Sequence, residues 1–413
     1  MKNPKALALL FAANAISGFA QGVSMLAIPW YFAQRGISSQ FNIIFAVITF
    51  ATIFWGLFAG TLVDRFNRRG LFLSTNIVEG TLLLLVAGAG WLQGSLPLPL
   101  IVLVFTITVF GYRMHYPNLY AFVQEISLPK HYTRATSYIE IVGQASNVMA
   151  GAMAVVLLEG VDAHLPLIGH ITIEAWEIYE IFTLDGITYF MSVFLISFIR
   201  YIPDKVFKVD RSPLVSRLKT GFKFLKDHPT VFLFGFFTHS IFVILLVSLF
   251  TVMPMYITHF LKVGGEVFGG MEMLYGVGAL MAGIFIGRWT QRWPKVKVII
   301  FFMFLTTLLL TMCALIKSVP YYFTVGFLIG FANAGTRILR VSYLFDHIPN
   351  QVIGRVNSVF SVLNLIMRTS FILVFSLAFF AQGENITYAY YVMAGYTLLS
   401  GVVLLRYYPK FRV

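Results

Sequence analysis

Glu79, Glu140, Asp185, His239 and Glu272, all able to take up or release a proton, stand inside long apolar runs. A charge at the centre of a bilayer costs roughly 2.5–3.5 kcal/mol on insertion scales, so ionisable groups kept there are candidates for ion or proton handling. Four arginines stand in comparable runs: Arg113, Arg337, Arg340 and Arg368. A guanidinium grips a carboxylate or phosphate through two parallel hydrogen bonds, so an arginine facing a cavity selects anions. At 1.5 Å per residue, Glu79 and Arg113 lie about 12 Å into their spans and Arg368 about 18 Å. Equal depth lets Glu79 and Arg113 pair, either as a proton-linked switch or as a static bridge. Arg368 has two readings as well, a substrate anion or an internal acid or carbonyl. Asp185 falls near the outer end of its span, where a salt bridge suits it as well as proton transfer. Glu140 either accepts a proton or caps a polar network, and His239 is either a protonation site or a core histidine. Asn14, Ser17 and Gln21 recur at spacings of three and four, which puts them on one helix face. Tyr112, Tyr116, Asn147 and Asn364 add hydrogen-bonding or stacking groups to a candidate substrate cavity.

These residues need apolar helices to hold them, and the composition supplies them. The chain of 413 residues is 58% hydrophobic and only 11% charged, against about a quarter charged in a soluble domain. A helical span needs about 20 mostly apolar residues. Twelve segments qualify, at 6–33, 41–62, 71–92, 98–121, 135–158, 181–201, 231–258, 268–289, 297–316, 321–345, 356–380 and 386–406. The expected fold class is an all-α membrane protein of twelve transmembrane helices in two six-helix bundles.

The charges orient the spans. With the N-terminus in the cytoplasm, 23 of the 30 Lys and Arg fall inside, three outside and four within the membrane. Such asymmetry places both termini in the cytoplasm. A net charge of +13 in short clusters between spans is topology rather than a nucleic-acid surface, which would form a basic stripe on one domain. The lone Cys313 allows no disulfide or cysteine metal site within one chain. With no G-x-x-x-x-G-K-[ST] loop and no H-E-x-x-H, no cofactor or metal is expected and no enzyme chemistry is visible.

The spans divide into 1–201 and 231–413 around a linker, 202–230, containing SRLKTGFKFLK. Its basic residues fall on one face and Leu218, Phe222 and Leu225 on the other, as in a helix lying on the inner membrane surface. The halves repeat. GLFAGTLVDRFNRRG, 56–70, shifted by 227 positions meets GIFIGRWTQRWPKVK, placing Gly56 on Gly283, Gly60 on Gly287, Asp64 on Gln291 and Arg65 on Arg292. LPKHYTRATSY parallels IPNQVIGRVNSV at an offset of 221, which also sets Asn147 on Arg368. Duplicated bundles are a mark of transporters whose halves rock about a central site.

The loop Gly60-x-x-x-Asp64-Arg65-x-x-Arg68-Arg69, with its second copy, resembles the signature of the major facilitator superfamily, and the resemblance covers the whole chain. ISGFAQGVSMLAIPW, LDGITYFMSVFLIS and GFKFLKDHP are similar to the drug and siderophore exporter branch, which includes macrolide and enterobactin efflux proteins. The chain departs from that pattern at Asn67, where glycine is frequent, and at Gln21, where an acid is frequent. GQASNVMAGA, 143–152, lacks the proline of the antiporter motif. The resemblance implies that the loop latches one transport state. The glycines at 56 and 60 allow close helix approach. Asp64 pairs with Arg65 or Arg68 or meets a neighbouring helix N-terminus, and Arg68 and Arg69 either join it or only fix topology. The latch set is therefore Gly56, Gly60, Asp64, Arg65, Arg68 and Arg69 with Gly283, Gly287, Gln291 and Arg292.

The expected function is export of a small anionic or amphipathic molecule by a monomer in a bacterial inner membrane, with protons and the lipid bilayer as its other partners. A lipid flippase, or an importer of a small metabolite, is the alternative on the same fold.

Overall fold

The computed structural model describes residues 3–128, 132–165, 169–200 and 214–411. Helices α1 (Pro4–Gln34), α2 (Ser38–Arg65), α3 (Arg68–Gln93), α4 (Leu98–Ile126), α5 (Tyr132–Glu159) and α6 (Ile178–Ser197) form the first half. After α5 comes a short antiparallel hairpin, β1 (Val161–Leu165) and β2 (Gly169–Ile173), in register from Val161 opposite Ile173 to Leu165 opposite Gly169. It is the one departure from an all-helical chain among the described residues, and it lies in a stretch expected to be a loop.

The linker helix α7 (Leu214–Asp227) precedes a broken span, Pro229–Leu261. That span comprises α8 (Pro229–Thr238), α9 (Ser240–Val247), a π-helical turn, α10 (Met253–Met255) and a second π turn, Tyr256–Leu261. Pro254 has no N–H to give to the carbonyl four residues back, so the helical ladder slips to the wider π spacing around it. The break at His239 has a different cause. Thr238 Oγ1 donates to the Phe234 carbonyl at 2.7 Å, Ser240 Oγ to that of Phe237 at 2.8 Å, and His239 Nδ1 lies 2.5 Å from that of Gly235. Three consecutive side chains competing for backbone carbonyls bend a helix. The second half ends with α11 (Gly265–Arg292), α12 (Lys295–Leu315), α13 (Val319–His347), α14 (Asn350–Phe375) and α15 (Thr387–Arg406).

Eleven of these stretches are long and apolar enough to cross a membrane. The twelfth expected span, α13, has ample length at 29 residues. Asn333, Thr336, Arg337 and Arg340 dilute its hydropathy, because much of the helix is buried against protein. The chain is thus an all-α membrane fold with that small hairpin added.

Contacts separate two compact units. The first holds Met1–Gln34, Ala51–Asp210 and Gly264–Met273; the second holds Arg35–Phe50, Arg211–Val263 and Leu274–Val413. In the first, α3 and α6 touch through paired glycines. A Cβ on Gly80 would lie 3.3 Å from the Gly186 carbonyl, and one on Gly186 equally close to the Gly80 carbonyl. Small residues at such crossings let backbones approach, and that approach brings the polar residues of α3 and α6 together.

In the second unit, α7 docks on α14 through Leu218, Gly221 and Leu225, and a Cβ on Gly221 would strike the Arg355 carbonyl. The expected apolar face is narrower than the sequence suggested. Leu225 is buried and Phe222 is 59% exposed, because positions 218, 221 and 225 already complete the stripe that meets α14.

Candidate functional site

The polar face of α1 organises the first unit. Asn14, Ser17 and Ser24 are buried, and with Gln21 they form a stripe at 14, 17, 21 and 24. Each meets a different partner. Asn14 Oδ1 lies 2.7 Å from His115 Nε2 on α4. Ser17 Oγ returns to its own helix, donating to the Ala13 carbonyl at 2.9 Å. Gln21 Nε2 donates to the Tyr189 hydroxyl on α6 at 3.1 Å. Tyr189 also packs on Gly80 of α3, the residue after Glu79. Asp185, one turn before Tyr189, is fully buried. A further bond, from Asn76 Nδ2 to Ser192 Oγ at 3.0 Å, continues the α3–α6 seam.

The Glu79–Arg113 pair expected from equal depth is not formed. The Glu79 carboxyl packs instead on Gly111 of α4, where an added Cβ would come within 2.5 Å of Cδ. Residues 111 and 113 are two apart and face opposite ways on a helix. Arg113 accordingly reaches α2, with Nη2 3.5 Å from Thr52 Oγ1. Asp185 is fully buried in protein, on a helix that starts at Ile178, earlier than the apolar run suggested, and next to the glycine crossing. His115, Tyr189, Ser24 and Asn76 were not among the expected residues. The signal for Ser24 was present, since it extends the 14–17–21 spacing.

The Tyr112 and Tyr116 rings pack at a 50° tilt with centroids 4.8 Å apart, Tyr112 being half exposed and Tyr116 half-buried. Asn147 is exposed on α5. The Glu140 side chain lies outside the described residues.

In the second unit a recess is lined by Phe236, His239, Val243, Phe360, Asn364 and Tyr396, among others. It joins two expected residues, His239 and Asn364. The His239 ring stacks on Phe360 at 5.6 Å with Nδ1 engaged by the Gly235 carbonyl. Arg340, buried on α13, donates from Nη1 to the Thr238 carbonyl at 3.1 Å and so satisfies a backbone group at the break in the seventh span. Arg368 lies one turn beyond Asn364 on α14, and Arg337 lies on α13, both half-buried.

At the signature loop, Asn67 caps α3, its Oδ1 accepting from the Arg69 and Gly70 amides at 2.9 and 3.3 Å. Asparagine is a strong cap residue, which accounts for its presence where the family pattern often has glycine. Arg69 donates to the last carbonyls of α6, from Nε to Ile196 at 3.2 Å and from Nη2 to Ser197 at 2.5 Å. Arg68 Nε lies 3.4 Å from Glu125 Oε1 near the end of α4. The two arginines therefore do more than fix topology: they tie the start of α3 to the ends of α4 and α6. Among the described residues, close helix approach at Gly56, Gly283 and Gly287 is not found. A Cβ built on each meets no described atom within 4 Å, as fits their exposed positions. Arg292 is exposed. The surroundings of Gly60 and the side chains of Asp64, Arg65 and Gln291 lie outside the described residues.

Long apolar helices in two units, each burying polar groups in its interior, define a polytopic membrane protein of the transporter type. The chain belongs to the Major Facilitator Superfamily, whose family model matches residues 10–371 and again 248–412. No curated protein matches its sequence. Solved structures share the fold at low identity. A bacterial metal transporter is 15% identical, with a TM-score of 0.65 over 97% of this chain and 98% of that one. The nucleoside transporter NupG is 12% identical, with a TM-score of 0.69 over 98% and 99%. A D-xylose–proton symporter is 11% identical, with a TM-score of 0.71 over 99% and 98%.

Proposed function

We propose that this chain is a secondary active transporter that exports a small anionic or amphipathic molecule, siderophore-like or drug-like, in exchange for protons. It works as a monomer in a bacterial cytoplasmic membrane with both termini inside. Its halves, 1–201 and 231–413, joined by 202–230, alternate access to a central site, and the loop around Asp64 latches one state.

The observation that carries the coupling is the Glu79–Asp185 pair. Two buried carboxyls sit on the facing helices α3 and α6, each beside a glycine of the Gly80–Gly186 crossing, and among the described residues neither has an ion-pair partner. An unpaired buried charge carries a penalty of several kcal/mol, which a bound proton removes. The proton symporter among the similar folds is compatible with this. An anionic cargo is supported by Arg113, Arg337 and Arg368, and export by the resemblance of 16–30, 184–197 and 221–229 to siderophore and drug exporters.

The test is deletion of the gene in its host followed by metabolite analysis of cells and medium. A carboxylate siderophore accumulating inside the deletion strain, with recovery by the wild-type gene and not by Arg368→Ala, is the expected result. Unchanged siderophore with altered lipid distribution would replace export by lipid flipping.

A further inference from the structure

In a helix lying at a membrane surface the apolar face normally meets the bilayer. In α7 that face is taken by protein instead. Leu218, Gly221 and Leu225 meet α14, where a Cβ on Gly221 would strike the Arg355 carbonyl. The face left uncovered is the basic one. We infer that this basic face is a docking surface for anionic phospholipid headgroups, with its lysines holding phosphate oxygens and Phe222 entering the boundary between headgroups and acyl chains.

Three observations select the face and its occupant. The first is its composition. Lys219, Phe222, Lys223 and Lys226 recur at steps of three and four, so they form one stripe, and all four are exposed. A bare aromatic ring set among lysines is the pattern of an interfacial helix.

The second is that the lysines are not neutralised by protein. Lys295 of the same unit pairs with Asp346 at 2.7 Å. Lys297 and Lys410 stand over the rings of Tyr408 and Tyr407 at 5.7 and 5.2 Å. Among the described residues, Lys219, Lys223 and Lys226 have no such partner. Asp227 is the sole acid of α7, and it forms no ion pair with them.

The third is the nearness of the bilayer. α7 ends at Asp227 and the seventh span starts at Pro229, so His228 alone separates them. That corner is fixed. The His228 amide donates to the Phe224 carbonyl at 3.0 Å, the His228 carbonyl accepts from the Phe232 amide at 3.1 Å, and the His228 ring stacks on Phe224 at 4.2 Å. At 1.5 Å per residue, Phe222 and Lys223 lie about 8 Å or less from the end of α7. The headgroup layer of one leaflet is about 5–8 Å deep, and a lysine stem extends its ammonium further toward it. On the topology proposed above, this is the cytoplasmic leaflet. A soluble acidic partner would match the lysines, but it would have to meet them beside the headgroup layer.

The experiment is native mass spectrometry of the purified full chain in detergent, titrated with phosphatidylglycerol or with phosphatidylcholine of the same acyl chains. The wild type should bind phosphatidylglycerol at least about tenfold more tightly, since each lysine near an anionic surface strengthens attachment up to about fivefold. Raising ammonium acetate from about 0.1 to 1 M should shrink that preference, as screening requires. The triple variant Lys219→Gln, Lys223→Gln, Lys226→Gln should lose the preference and keep its phosphatidylcholine affinity. Phe222→Ala should weaken both lipids alike, because the ring contacts chains rather than charge. All four sites are exposed, and helical circular dichroism checks that the variants are folded. Equal affinity of the wild type for the two lipids, or a preference that survives in the triple variant, would overturn the proposal. Binding of a poly-glutamate peptide in place of phosphatidylglycerol, lost in the triple variant, would overturn it in favour of a soluble acidic partner. No transport is measured, so failure here leaves the transport reading intact, and failure of that reading leaves the lipid preference standing.

Discussion

Substituting Gly111 by alanine adds one methyl group at the point where α4 meets the Glu79 carboxyl. The new Cβ would strike Oε1 and fall 2.5 Å from Cδ, where ordinary contact begins near 3.4 Å, so the carboxyl must retreat by at least 0.9 Å. It has little room to do so. Its helix is pinned to α6 by the Gly80–Gly186 crossing and by Tyr189 packing on Gly80. Overpacking of this kind costs about 1–3 kcal/mol. At ~2 kcal/mol the melting midpoint falls by about 4–8 °C, taking 2–4 °C per kcal/mol for a large domain. Helical circular dichroism during heating of the purified protein measures it. The double variant Gly111→Ala, Glu79→Ala supplies the control. Removing the carboxyl vacates the space the methyl needs, so the two losses should not add. Additive losses, or an unchanged midpoint for Gly111→Ala, would show that the carboxyl does not rest on α4.

Two further outcomes follow from the same geometry. Arg69→Ala strips two charged hydrogen bonds from the end of α6 and should cost about 1.5–3 kcal/mol, while Arg68→Ala, losing a partly exposed ion pair, should cost under about 1 kcal/mol; denaturation midpoints of the two variants, compared side by side, check the order. Gly221→Val should lift α7 from α14, since its side chain collides with the Arg355 backbone, and limited trypsin digestion should then cleave at Lys219 or Lys223 severalfold faster than in the wild type; equal cleavage would mean the linker helix is held by other contacts.

Much of this molecule can be read without coordinates, because a bilayer forces backbone polar groups into helices and leaves long apolar runs in the sequence. The linker helix emerged as expected, with a strong local signal in SRLKTGFKFLK, whereas Asn67, read only as a departure from the family pattern, caps the start of α3. Side-chain partners proved harder to read. Equal depth suggested Glu79 with Arg113, but depth says nothing about which way a residue faces, and two positions along α4 separate a contact with α3 from a contact with α2. The burial of Asp185 was not legible either, because it depends on how closely α6 approaches α3. His115 stood unremarked between Arg113 and Tyr116, since nothing local marks it as the partner of Asn14, a hundred residues earlier. The glycines of the signature loop drew attention, whereas those that bring helices together in the first unit, Gly80 and Gly186, carry no motif.

The central claim is that a proton gradient drives an organic anion across the membrane through this chain. It is tested most directly in inside-out membrane vesicles containing the protein, supplied with a radiolabelled carboxylate siderophore and an acid interior. The account predicts concentrative uptake that a protonophore abolishes and that Glu79→Gln and Asp185→Asn each reduce at least about tenfold, as loss of a proton-transfer group does. Uptake that persists with the protonophore, or that follows a sodium gradient instead, would contradict it.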